Sequence, residues 1–190
     1  MGYIILKNNL SKYNDYSIVP LRREDILLIK KWRNEQMNVL RQNRILTNND
    51  QREYYEKVIK PSFVQQQPQV ILFSYLLKKN CIGYGGLTNI DWYSKRAELS
   101  FLLDTERVDN KELYDLEFSK FIIFMKQIAF DDLSLNRIFT ETYDIRDWHI
   151  SILEKNGFKF EGRMKEHMCI EGRFIDSLLH GFLRKYWYGV

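Results

Sequence analysis

The sequence predicts a mixed α/β domain built on a central, mostly antiparallel sheet of about seven strands flanked by four helices. Apolar residues recur at helical spacing in four stretches, and β-branched and aromatic runs of strand length lie between them. The resulting order is strand, two helices, three strands, helix, strand, helix, two strands. Consecutive strands joined by short turns favour antiparallel pairing.

After strand-like N-terminal residues, 17–21 is the first clear element. RRED follows, and then Ile26, Ile29 and Trp32, spaced three apart, mark one face of a helix over roughly 24–35. Thr47 or Asn48 caps a second helix with Tyr54, Tyr55, Val58 and Ile59 on its apolar side, and Pro61 ends it. Beyond the polar QQQPQ turn, residues 70–77 form a strand that closes on KKN, and 81–90 form the next. Gly83, Gly85 and Gly86 inside this strand mean a bulge or a close approach by another group, or simple relief of backbone strain. A third strand, 96–103 (RAELSFLL), completes an antiparallel meander.

The most apolar helix, 113–130, spreads Phe118, Phe121, Ile122, Phe124, Met125 and Ile128 over more than one face, so it must be buried. In the strand 136–142 (NRIFTET), Ile138 and Thr140 alternate with Phe139 and Glu141. A helix over 145–155 follows and stops at Asn156-Gly157, where glycine takes the left-handed conformation. Residues 158–170 and 172–186 are two long strands around the turn at Glu171-Gly172. With no repeat and no linker, residues 1–190 read as a single domain.

A chain of 190 residues buries enough apolar surface to fold without disulfides or metal. Cys81 and Cys169 lie far apart, with no CxxC pair and no histidines at metal-ligand spacing, and both read as buried or half-buried thiols. The 29 basic and 25 acidic residues are dispersed, which argues against a nucleic-acid footprint and leaves room for a small anionic ligand. No apolar run is long enough for a signal segment or a bilayer span, and the expected location is the cytoplasm without membrane contact. Trp92, Tyr93, Trp187 and Tyr188 have the pattern of exposed aromatics and leave room for a homodimer.

Four stretches in order carry a family resemblance: AELSFLL (97–103), LNRIFTET (135–142), SILEKNGFKFEG (151–162) and GRFIDSLLHGFLRKYW (172–187). Together they resemble the GNAT N-acetyltransferases over about 16–187, in the branch similar to sugar-amine and ribosomal-protein N-terminal acetyltransferases. The resemblance implies acetyl-CoA as acyl donor and a splay between the family's fourth and fifth strands. The pantetheine arm would lie there against the backbone of Leu102, Leu103 and Asp104. The pyrophosphate would meet the start of the 113–130 helix, along Arg107, Val108, Asn110, Lys111 and Leu113, where free amides favour an anion. Relatives carry a glycine-rich loop here, whereas this chain reads TERVDNKELYDLE, with Glu106, Asp109, Glu112, Asp115 and Glu117 against Arg107 and Lys111. Either these acids point away from the phosphates or the loop holds CoA weakly, since like charges repel.

Acetyl transfer needs a neutral amine, a polarised thioester carbonyl and a proton for the departing thiolate. Glu98 stands where relatives place a glutamate base; its other reading is a strand residue paired with Arg96 or a neighbouring cation. The family's acid is a tyrosine, but Leu153 occupies that place and Arg146 replaces an upstream asparagine. His149 and Tyr143 are the remaining proton donors nearby, and Arg146 is either a CoA-phosphate ligand or a solvated helix-start residue.

The stretch 21–50, with Trp32-Arg33-Asn34 and ILTNND, is similar to the acceptor-side helices of GNATs acting on nucleotide-linked amino sugars. Trp32 falls on the apolar face and packs, leaving Arg33, Asn34, Arg41 and Arg44, with Tyr84, as candidates for a small-molecule amine acceptor. A protein N-terminal amine is the second acceptor, and a GNAT-fold binding module without transfer is the third reading. Converging arginines would favour the sugar nucleotide, and an acidic groove near Glu98 a peptide.

Overall fold

The computed structural model describes residues 2–189. One eight-stranded sheet runs through it in the order β1-β2-β3-β4-β5-β6-β8-β7. β1 (Ser11–Tyr13), β2 (Tyr16–Pro20), β3 (Ile71–Leu77), β4 (Asn80–Asp91) and β5 (Arg96–Leu103) pair antiparallel in sequence. β6 (Arg137–Tyr143) then joins β5 in parallel, and β8 (Arg173–Leu183) inserts between β6 and β7 (Lys159–Ile170). The strand beyond the seven expected is β1, a three-residue hairpin arm folded back through Asn14 at φ 54°.

The helices are α1 (Ile26–Glu35), α2 (Asn48–Tyr54), α3 (Lys60–Ser62), α4 (Thr105–Val108), α5 (Lys111–Lys126), α6 (Asp147–Lys155) and α7 (Arg184–Trp187). Thr47 caps α2 in a reciprocal capping box with Asp50. Pro61 does not end this stretch. A widened π-helical turn over Tyr55–Ile59 precedes α3, and Pro61 sits in its first turn, where a missing N–H leaves no bond unmade. The last strand likewise stops before 186. The Arg184 amide donates to the Asn136 carbonyl at the very start of β6, and beyond it the ladder has no partner, so the chain coils into α7.

α5 lies against the sheet. Phe118 stacks on Phe101 with ring centroids 4.6 Å apart, and Phe121 meets Tyr75 at 5.4 Å. Close strand packing accounts for the β4 glycines. A Cβ on Gly86 would come 2.0 Å from the Ile71 carbonyl oxygen, and one on Gly85 2.2 Å from that of Ser100. The close approach is therefore made by neighbouring backbone. α6 closes as the sequence predicts, with Gly157 at φ 84° and the Phe158 amide donating to Leu153 O at 3.0 Å. Trp92 and Trp187 are half-buried, packed on the core and bonded to Pro68 O and Asp131, so of the four flagged aromatics Tyr93 and Tyr188 are the exposed ones. Among the described residues no helix is long and apolar enough to cross a membrane.

Candidate active site

β5 and β6 pair only over Arg96, Ala97 and Glu98 against Arg137, Ile138 and Phe139. Beyond Glu98 the strands part, and the gap holds a cavity of about 220 Å³ whose walls include Leu99, Phe101, Thr140, Tyr143, Arg146 and His149. Alternation decides which backbone groups face it. The Asp104 amide donates to Ile82 O on β4, so Leu102, Ser100 and Glu98 also turn their polar groups to β4, while Leu99, Phe101 and Leu103 turn theirs to the gap. This corrects the expected backbone set. Leu102 and Asp104 serve the β4 ladder, and the Leu103 carbonyl accepts from Gln36 Nε2 at 2.9 Å, leaving the edge of Leu99 and Phe101 for a ligand. On β6 the Asp144 amide bonds Asp176 O, which by the same alternation turns Glu141 and Tyr143 toward the gap.

At the far end of the gap the glycine-free loop forms α4 and then α5. Arg107 does not face an anion. It turns inward to Glu117, which is fully buried, bonding it through Nε at 2.8 Å and through Nη2. Asp115 is held by Lys155 at 2.8 Å, and Asp104 caps α4. Two of the five acids expected near a pyrophosphate are thus paired away from it, whereas Glu106, Asp109 and Glu112 stay in solvent. Asn110 caps α5 by accepting from the Leu113 amide at 3.0 Å, so Leu113 has no free N–H, while the amides of Lys111 and Glu112 lack intrahelical acceptors by helix geometry. Val108 packs against the core. Arg146 reaches this helix end from the start of α6, donating to the Tyr114 hydroxyl at 3.2 Å.

Glu98 is 4% exposed. One oxygen accepts from Asn89 Nδ2 at 2.7 Å and the other from Arg41 Nη2, while Arg96 pairs instead with Asp91. Arg41 also lies 3.7 Å from Glu141. The Tyr143 hydroxyl is buried without a hydrogen-bond partner, and burial raises its pKa against the lowering effect of Arg41. Tyr143 borders both the gap and a groove formed with Met37, Leu40, Met168 and Ile170. His149 is also buried; its Nδ1 lies 2.7 Å from the Tyr114 hydroxyl, and its ring stacks on Phe118 at 4.3 Å. Burial, then the Arg146 charge, push its pKa well below 6.5, so the imidazole is neutral at neutral pH.

The other acceptor candidates are engaged within the chain. Arg33 donates to the Tyr84 hydroxyl at 2.5 Å and to Gln42, and Asn34 closes the α1–α2 loop by donating to Leu46 O and accepting from the Leu46 amide. Arg44 forms a two-pronged pair with Asp50. Sequence reasoning missed Glu141, Asn89, Gln36 and Tyr114. Only Glu141 left a signal, a carboxylate on the same strand face as Phe139 inside NRIFTET.

A sheet parted beside a helix start leaves an open backbone edge for an extended ligand, and a buried carboxylate stands where the parting begins. The model of the acetyltransferase (GNAT) domain matches residues 18–179, and the chain belongs to that family. It is accordingly an acetyl-CoA-dependent N-acetyltransferase. A spermidine N-acetyltransferase from Vibrio cholerae, solved with CoA and spermine, is 20% identical with a TM-score of 0.81, over 93% of this chain and 99% of that one. A dodecameric structure of spermidine N-acetyltransferase from Vibrio cholerae is also 20% identical, with a TM-score of 0.76 over 92% and 97% of the two chains. At such identities the likeness shows the fold. No curated protein sequence matches the chain.

Proposed function

We propose that the chain acetylates the primary amine of a small cationic acceptor, of the polyamine kind. The observation that carries this is the pair of carboxylates, Glu98 and Glu141, on one face at the point where β5 and β6 separate, with the Tyr143 hydroxyl beside them. Two acids suit an ammonium ion, and the arginine nearest them, Arg41, is paired with both. The solved relatives named for spermidine support the same class of acceptor. The nucleotide-linked amino sugar has less support, because Asn34 and Arg44 lie outside the gap, held by Leu46 and Asp50, and Arg33, which does border it, spends its guanidinium on Tyr84 and Gln42. A protein N-terminal amine would use the same Glu98 and the open groove beside Met168.

Acetyl-CoA, when bound, supplies the activated acyl group. The edge of Leu99 and Phe101 fits its amide-rich arm, and Asn110, Lys111 and Arg146 at the start of α5 fit its phosphates. Glu98 takes the proton from the acceptor ammonium, assisted by Asn89, which holds the other carboxylate oxygen in place. Tyr143 gives the proton to the departing thiolate, since its O–H is uncommitted and stands where gap and groove meet. His149, neutral and bonded to Tyr114, orients that wall of the gap.

Thiol release from acetyl-CoA, measured with a panel of diamines, polyamines, amino sugars and a peptide, tests the acceptor class. Glu98→Gln and Tyr143→Phe should each lower kcat by about 10²-fold or more while leaving CoA affinity, read by calorimetry, within a few fold. Wild-type rates in either variant would remove that residue from the mechanism, and turnover confined to nucleotide-linked sugars would replace the cationic acceptor.

A further inference from the structure

We propose that Arg41 is an internal stand-in for the acceptor's cation: its guanidinium holds the place between Glu98 and Glu141 that an acceptor ammonium must take. This rests on the functional reading above and narrows the acceptor to amines that bring net positive charge.

Glu98 is the last β5 residue paired with β6, opposite Phe139, and Glu141 lies two residues further along β6 on the face Phe139 shares. The two carboxylates are therefore fixed by strands, with side chains 5% and 15% exposed. Two carboxylates facing one gap stay ionised together only with a cation between them; otherwise one takes up a proton. Arg41 provides it from the irregular stretch between Val39 and the start of α2, on a side chain 48% exposed. The other groups around the pair are Asn89 on Glu98, His167 of β7 at 3.5 Å from Glu141, and Tyr143.

The consequence is mechanistic. The oxygen of Glu98 not held by Asn89 is the one that Arg41 occupies, so guanidinium and acceptor ammonium compete for it, and the base is weakest while the guanidinium stays. The guanidinium is half in solvent on a loop, so water takes it up as it leaves, and the cost of baring the buried Glu98 is avoided only when another cation arrives in its place. The carboxylates cannot follow it. An acceptor ammonium thus replaces one cation by another and frees the base in the same event. An amine neighboured by its own carboxylate or phosphate brings no net charge for the exchange.

The test is steady-state kinetics of wild type, Arg41→Gln and Arg41→Lys with the best amine from the panel. Arg41→Gln should lower the amine KM by about fivefold or more, fivefold being the upper range for a pair exposed at both ends, without raising the KM for acetyl-CoA. Arg41→Lys, which keeps the charge, should stay near wild type. An amine KM that is unchanged or raised in Arg41→Gln would overturn the stand-in, the latter making Arg41 an acceptor ligand, while leaving the functional reading intact. Absence of turnover with every amine in all three proteins would overturn both.

Discussion

Replacing Arg107 by methionine separates a structural arginine from a phosphate ligand. The Glu117 carboxylate is fully buried and is held by Arg107 and by the Tyr16 hydroxyl at 3.2 Å. Without the guanidinium it retains a single neutral donor, and stranding a buried charge in this way costs about 3–5 kcal/mol. At about 2–4 °C per kcal/mol for a domain of this size, Tm should fall by roughly 10 °C. The double variant Arg107→Met/Glu117→Leu removes both charges and should recover most of that loss, since apolar replacement of a buried pair is often close to neutral. Differential scanning calorimetry of wild type, both single variants and the double variant supplies the cycle, and CoA titration of the double variant supplies the functional arm. A double variant as unstable as Arg107→Met would refute the ion-pair reasoning. One that recovers its Tm but binds CoA tenfold more weakly would return Arg107 to the phosphate site.

Two further outcomes are expected. Lys126 has its ammonium 3.7 Å from the Phe182 ring centre, and burial lowers its pKa to about 8. Between about 8 and 10.5 the unfolded chain binds more protons than the native one, so this group makes stability rise with pH across that window. Lys126→Met should abolish that rise and stabilise the protein at pH 7. The whole shift is worth on the order of 3 kcal/mol, and loss of the bond from the ammonium to Asn156 O at 2.6 Å reduces the expected gain to roughly 1–2 kcal/mol in urea melts; equal stability of both proteins at pH 7 would contradict it. Gly86→Ala should destabilise by upwards of about 2 kcal/mol, because its Cβ meets the Ile71 carbonyl at φ 156°, and an unchanged Tm would show that β3 and β4 can move apart there.

Much of the fold was legible because local periodicity reports burial. The strand Arg96–Leu103 falls where RAELSFLL predicts it, and Asn156-Gly157 ends α6. Errors arose where partners outside the segment decide the outcome. Pro61 was expected to stop a helix that a widened turn carries past it, and the last strand was read to 186 although its β6 partner begins at 137. In the site, Glu98, Tyr143, His149 and Arg146 all border the gap, whereas Arg107 turned away from it.

By itself the sequence determined the order of elements, the buried Phe-rich helix and the presence of a carboxylate in the middle of a core strand, because these depend on residue type and spacing along one segment. Only the tertiary structure decided which backbone edge is open, which arginines are free and which acid stands beside Glu98. Those are matters of register between strands distant in sequence: β5 and β6 lie more than thirty residues apart, and a one-residue shift would turn Glu141 from the acceptor side to the opposite face of the sheet.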